Sequence, residues 1–177
     1  MNGAAGALVP DAQSLTLQAL TLQPLTLAHL ADLAASRVPA SMVGRVEQGG
    51  LPPAFVAQRA LDMIADGKSE FWCATFVIVR ADGRIVGGCG FKGEPADGRV
   101  EIAYGIAPSS RRQGAAAAAV QALLAIAFSQ GVAVVFAEIL PENIASAGVV
   151  RKHGFEYTGS RVDEDGDTVG VWVARRS

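Results

Sequence analysis

Along this chain, stretches that alternate apolar and polar positions are interleaved with stretches of helical period, and Pro and Gly mark the joins. Leu15 to Leu22 alternates and predicts a first strand. Pro24 and Thr26 open a helix over Leu27 to Ser36, and Pro39 to Pro53 reads as a loop with room for a helical turn. A second helix spans Ala54 to Ala65 and stops at Asp66-Gly67. Phe71 to Arg80 and Ile85 to Lys92 then read as strands joined by a hairpin turn at Ala81 to Arg84. Pro95 to Gly98 turns the chain into a further strand, Val100 to Ala107, which Pro108 ends. A long helix starts at Ala115, and the β-branched run Val132 to Ile139 reads as a buried strand. Asn143 is placed to cap a short helix and Gly154 to stop it. Phe155 to Val162 and Thr168 to Ala174 form a terminal hairpin about Asp163 to Asp167. The order β-α-α-β-β-β-α-β-α-β-β defines a mixed α/β domain over residues 15–177, preceded by a disordered tail at 1–14.

The most informative join lies between the strand at Val100 and the helix at Ala115. A helix start leaves backbone N–H groups without partners and carries partial positive charge, which makes it an anion site. Arg111 and Arg112 precede Gly114, and Ala115 to Ala119 keep the start of the helix bare. A P-loop needs Lys and Ser or Thr directly after its last glycine, where this chain has Ala115 and Ala116. A dinucleotide fingerprint needs three glycines and an acidic residue about 20 positions on. Glu138 lies at a tolerable distance, but Gly114 is the one glycine in place. A third pattern, Arg/Gln-x-x-Gly-x-Gly/Ala, is matched by Arg111-Arg112-Gln113-Gly114-Ala115-Ala116. Downstream stands Pro141-Glu142-Asn143-Ile144-Ala145-Ser146, followed by Lys152-His153-Gly154-Phe155.

These two motifs, in this order and separated by helix and strand, resemble the GNAT N-acetyltransferase superfamily. The Ser at position 146 resembles its RimJ/RimL-like branch, which acetylates ribosomal-protein N-termini. The resemblance runs over roughly residues 15–175 and is tightest from Ile85 to Phe155. It implies a GNAT fold: a central, mixed, mostly antiparallel twisted sheet of about seven strands, flanked by about four helices. It also implies acetyl-CoA as co-substrate, with a primary amine (a protein N-terminus or a small-molecule amine) attacking directly in a ternary complex. Backbone groups of Ile106 and Ala107 would pair with the pantetheine arm. Arg111, Arg112 and the N–H groups of Gln113, Gly114, Ala115 and Ala116 would hold the pyrophosphate. Asn143 and Ser146 would touch the pantetheine from the other side.

Acetyl transfer needs a base for the amine, a donor for the thioester oxygen and a proton for the leaving thiolate. Glu101 is the expected base, acting through a water. Many family members carry a tyrosine where this chain has Val150, and valine cannot donate a proton. Ser146 is the expected substitute, with Tyr104 and Tyr157 as outside candidates. Alternation puts Tyr104 on the face opposite Glu101, and a bulge at Gly105 would change that count.

Composition narrows the partners. A net charge of −2 over 177 residues gives no general attraction to nucleic acid or to anionic membranes. No apolar run reaches the length of a membrane span. Cys73 and Cys89 fall in expected strands and read as buried free thiols of a cytoplasmic protein, and no ligand set for a metal is present. His29 and His153 read as surface or structural residues. Met42, Leu51, Phe55, Trp72 and Phe91 are core by default and acceptor lining by analogy. Glu47, Asp62, Asp66, Glu70 and Glu94 show no grouping. Relatives often dimerise, through the terminal hairpin or strand edges, and the strand Val169 to Ala174 is apolar enough to pair or pack against a partner. A non-catalytic acyl-CoA-binding module on the same fold is the alternative function, and a nucleotide-binding domain without acyl transfer is a third.

Overall fold

The computed structural model describes residues 20–177. The expected tail and the stretch 15–19 of the first strand lie outside the described residues. The elements are β1 (Leu20–Pro24), α1 (Leu27–Ala34), α2 (Ala54–Ala65), α3 (Glu70–Cys73), β2 (Thr75–Arg80), β3 (Ile85–Phe91) and β4 (Arg99–Ile106), then α4 (Ala115–Ser129), β5 (Val134–Ile139), α5 (Ile144–Lys152), β6 (Glu156–Val162) and β7 (Thr168–Arg175). Seven strands form one sheet in the order β1-β2-β3-β4-β5-β7-β6. All neighbours are antiparallel except β4 and β5. This is the expected mixed, mostly antiparallel sheet.

Local sequence explains the helix starts. Thr26 Oγ1 accepts the His29 N–H at 3.1 Å, and His29 Nδ1 accepts the Thr26 N–H at 3.3 Å, a reciprocal cap that begins α1. His29 is therefore structural. α2 follows Pro52-Pro53, whose fixed φ suits a helix entry. α4 is apolar nearly all round, and Ala118, Ala119, Val120, Ala122, Leu123 and Ala127 are buried along it. Such a helix is stable only under cover. It lies on β3 and β4, and with α5 covers one face of the sheet over Ile78, Val100, Ile102 and Val135. Full burial of Leu123 alone contributes roughly 2 kcal/mol.

The other face is only half covered. The loop between α1 and α2 sets Met42 on Val77 and Ile85, with α1 and α2 packed against each other beside it. Pro52 presses on Gly88, where an added Cβ would meet its ring at 2.8 Å. Beyond β3 this face is open over Ala103 and Gly105 of β4, which are exposed, and along nearly all of β6, while Val169 and Val173 of β7 between them are buried.

Two expectations are corrected. Phe71 to Cys73 form a helical turn, and the strand begins at Thr75. A strand would send Phe71 and Trp72 to opposite faces, whereas the turn keeps their rings edge to face at 5.0 Å. Trp72 then packs on Phe91 at 5.0 Å, so both are core. Cys73 accordingly lies in a helix and Cys89 in a strand, both free and buried. The second correction concerns the strand over Val169 to Ala174. It lies inside β7, between β5 and β6, with Val169, Val173 and Ala174 buried, so it has no edge to offer a partner. The edge strand on this side of the sheet is β6.

Candidate active site

The loop before α4 has the conformation an anion site requires. Pro108–Ser110 make one 3-10 turn, Arg112 has φ of +62°, and Gly114 has φ of +86° at the helix cap. Glycine takes that left-handed conformation without strain, while a branched residue would not. No backbone acceptor among the described residues takes the N–H of Arg112, Gln113, Gly114, Ala115, Ala116 or Ala117. These donors project at the bare end of a 15-residue helix. Arg111 Nε donates to Ile106 O at 3.3 Å, and Gln113 Nε2 donates to Ser109 O at 3.3 Å, so these side chains brace the loop. Arg112 is exposed beside them. Ser110 Oγ is buried without a partner at the same turn. A free row of backbone donors, two flanking guanidinium groups and a bare alanine start fit the pyrophosphate of an acyl-CoA.

A slit leads away from this loop. β4 pairs with β5 only through Arg99, Val100 and Glu101, opposite Val134, Val135 and Phe136. Past Glu101 the two parallel strands part. The ladder with β3 shows which groups line the gap. Lys92 N–H donates to Glu101 O at 2.9 Å, and Ala107 N–H donates to Val86 O at 2.8 Å. In an antiparallel pair such residues alternate with ones whose backbone groups point away. The N–H and C=O of Tyr104 and Ile106 therefore face the slit.

This separates two residues that the sequence had joined. Ile106 presents its backbone to the slit, although its carbonyl also accepts the Arg111 Nε bond. Ala107 does not: it is fully buried, its N–H is held by Val86, and its carbonyl accepts the Ser110 N–H at 2.8 Å. The strand edge available to a ligand is Tyr104 and Ile106. The alternation rule contains that result, but it needs the register with β3 to become visible. The sheet opens directly after Glu101. No bulge interrupts the β3–β4 register, which runs evenly from Phe91↔Ile102 to Gly87↔Ile106.

Side chains on β4 then divide between the faces. Glu101 lies on the open face and Tyr104 on the face of α4 and α5. The Glu101 side chain is 16 % exposed, and Lys92 Nζ meets its Oε1 at 2.6 Å. Burial raises the Glu101 carboxyl above the usual glutamate range, and the Lys92 contact opposes that shift without cancelling it. On the opposite face Tyr104 Oη donates to Ser146 O at 3.4 Å, in the first turn of α5. Burial raises the phenol above its usual value, so it holds its proton at neutral pH. Asn143 Oδ1 accepts the Ser146 N–H at 3.2 Å and caps α5. Val150 is completely buried in the core, with no route to a ligand. Sequence reasoning had passed over Lys92, and had ranked Tyr104 behind Ser146.

The remaining expected residues lie elsewhere or serve the scaffold. Met42 and Phe91 are core, whereas Phe55 is 68 % exposed on α2. Glu47 is a tether: its Oε1 accepts from Arg84 Nε at 2.5 Å and its Oε2 from Ser109 Oγ at 3.4 Å. The Arg84 contact holds its carboxyl below the usual range. Glu47 thereby ties the loop after α1 to the turn before the anion loop. Asp62 accepts from Gln58 at 2.8 Å, Glu94 accepts the Ser69 N–H at 2.6 Å, and neither reaches the slit. Tyr157 bonds Ser160 at 2.8 Å on the edge strand. His153 bonds Val149 O at 2.9 Å at the end of α5. No group of three or more His, Cys, Asp or Glu able to hold a metal occurs among the described residues.

A helix-borne anion loop at the mouth of a parted parallel strand pair, with a carboxylate on one side and a phenol on the other, defines an acyl-CoA-dependent transferase class. The family follows from sequence. The Acetyltransferase (GNAT) domain profile matches residues 19–156, and the chain belongs to that family. It is an N-acetyltransferase that uses acetyl-CoA, which favours the catalytic reading over the non-catalytic acyl-CoA-binding module. Solved structures share the fold. The ribosomal L7/L12 alpha-N-protein acetyltransferase RimL, in complex with coenzyme A, is similar at TM-score 0.64 and 16% identity, over 90% of this chain and 95% of that one. The acetyltransferase of Salmonella typhimurium that modifies the N-terminal serine of L7/L12 gives TM-score 0.64 and 16% identity, over 91% and 97%. A chimera of the spermidine N-acetyltransferase SpeG from Vibrio cholerae gives 0.64 and 18%, over 89% and 95%. At these identities the likeness is one of fold. No curated protein sequence matches the chain.

Proposed function

We propose that transfer takes place across the slit between β4 and β5, the amine arriving from the open face and the thiolate leaving toward α5. The observation that carries this is the placement of Glu101 and Tyr104 on opposite faces of one strand, at the point where its edge becomes free. When bound, acetyl-CoA supplies the acyl thioester. Arg111, Arg112 and the N–H groups of Gln113, Gly114, Ala115 and Ala116 hold its pyrophosphate, and the free edge of Tyr104 and Ile106 aligns its arm. Asn143 and Ser146 border that arm from α5. The Tyr104 N–H is the donor set to meet negative charge as it develops in the slit. Glu101 takes the proton of the incoming amine, directly or through a water, and its raised pKa makes it a stronger base than a free glutamate. Tyr104 Oη, rather than the Ser146 hydroxyl, protonates the departing sulfur, because its hydroxyl already sits at the first turn of α5 where Val150 cannot reach.

Two further features belong to this reading. The buried free thiols Cys73 and Cys89 suit a reducing cytoplasm. The exposed edge strand β6, with Tyr157 and Val162 outward, suits pairing in a homodimer. No described helix is long and apolar enough to cross a membrane. Calorimetric titration with acetyl-CoA, with NADH as control, followed by an amine screen, tests the site. Binding of acetyl-CoA with turnover of an amine is expected. Absence of binding would sink the placement of the pyrophosphate.

A further inference from the structure

The open face beside Glu101 carries charges that the transfer chemistry does not use. β5 continues past Phe136, the residue opposite Glu101, to Glu138 on the same face, roughly 7 Å further along. Glu138 is 5 % exposed and ion-paired with Arg161 of β6. Glu138↔Val171 and Arg161↔Val169 are the register pairs that put both side chains on Glu101's side of the sheet. Arg99 of β4 stacks on Phe136, its Cζ 5.3 Å from the ring centroid. Across the mouth of the slit run Lys92, Glu101, Glu138 and Arg161, with Arg99 below.

The two carboxylates are buried and each already has a cation. The cations are not spent in the same way. Arg161 is 51 % exposed and Lys92 34 %, so each keeps N–H donors turned to solvent. These five groups are three cations and two carboxylates; Glu156, in register with Val173 on the same face, lies exposed on the edge strand beyond them. Asp163, the next acid beyond Arg161, is engaged in its own turn, accepting the N–H of Asp165 and of Asp167. Ala103 and Gly105 leave the floor flat, and nothing lies within 4 Å of where a Cβ on Gly105 would project. A long polycation would meet like charge here, with no unpaired buried acid to hold it.

We propose that Arg161, braced by Glu138 and assisted by Lys92, binds a carboxylate borne beside the reacting amine, so that the acceptor is an amino acid or a similar anionic amine. The planar guanidinium fork matches a carboxylate geometrically, and Glu138 fixes its orientation before the acceptor arrives. The inference rests on the transfer site proposed above and names the substrate class for it.

Initial rates with acetyl-CoA decide it, measured for the common amino acids, their matched amides, propylamine and spermidine. The best amino acid is expected to exceed its amide by about tenfold in kcat/KM, the effect of one charge-assisted hydrogen bond. In Arg161→Gln that ratio falls toward one, mainly through KM. Since Arg161→Gln strands a buried carboxylate, the double variant E138Q/R161Q removes both charges together and must show the same loss of ratio. Amides turned over as well as acids, spermidine as the best acceptor, or a ratio unmoved in both variants would overturn the acceptor class and leave acetyl transfer standing. Acetyl-CoA binding with no amine turned over would instead sink the transfer site.

Discussion

In the proposed site, the cofactor side of the slit offers backbone: a row of free N–H groups at the start of α4 and the unpaired edge of β4 at Tyr104 and Ile106. The proposed acceptor side offers side chains drawn from separate strands: Lys92 just after β3, Glu101 of β4, Glu138 of β5 and Arg161 of β6. Backbone donors are the same for every residue type, so that half needs only small residues and one left-handed glycine. Side-chain charges encode a particular ligand. A fold built this way keeps its co-substrate while its acceptor changes with a few substitutions around an open face. The pairing of each buried carboxylate with a half-exposed cation is what gives the proposed acceptor side its chemical sign.

Breaking the cofactor half should produce the largest effect. Gly114→Val forces a branched residue into φ of +86° and puts its side chain where the phosphate approaches. Strain of about 1–3 kcal/mol plus lost N–H contacts should weaken acetyl-CoA binding at least about 100-fold by calorimetry, with the far-ultraviolet spectrum retained. Unchanged affinity would mean the pyrophosphate lies elsewhere.

Glu101→Gln tests the acceptor half alone. Turnover should drop roughly 100-fold while acetyl-CoA affinity is kept. Wild-type turnover across pH in this variant would remove Glu101 as the base.

Tyr104→Phe asks which face serves the leaving group. A loss of about tenfold in kcat is expected, with Ser146→Ala costing less. The reverse ranking would return the role to Ser146.

The smallest effect concerns pH. The base must be ionised, and burial raises the Glu101 carboxyl. Activity should therefore fall as pH drops, with its acid limb centred above the ordinary glutamate value. Lys92→Met removes the contact that opposes the shift, so the limb should move to still higher pH. Because the folded protein binds this proton more tightly than the unfolded chain, the group's contribution to folding is full below the unfolded-state pKa and is lost as pH rises from there through the native pKa. A limb that stays put in Lys92→Met would show that Glu101 is not the titrating group.

Much of this molecule was legible before its structure. Helical and strand periods, with Pro and Gly at the joins, delivered seven strands in the right order. Thr26, Asn143 and Gly114 announce their helix starts because caps are local interactions between neighbours in sequence. The helical turn at Phe71 to Cys73 was hidden, since β-prone aromatics were pulled out of strand geometry by packing against Phe91. The interior place of β7 was hidden as well, because an apolar run looks alike whether it meets a partner chain or lies between two strands of its own.

By itself, then, the sequence determined the order of elements, the left-handed loop before α4 and the family, all of which rest on contacts between near neighbours or on backbone that few residues tolerate. Tertiary structure alone decided that Ala107 is spent on β3 while Tyr104 and Ile106 face the slit, that Tyr104 reaches α5, and that Glu138 and Arg161 stand beside Glu101. Those facts depend on register and on where β4 parts from β5. Register is fixed by pairings between residues distant in the chain, and no local pattern carries it.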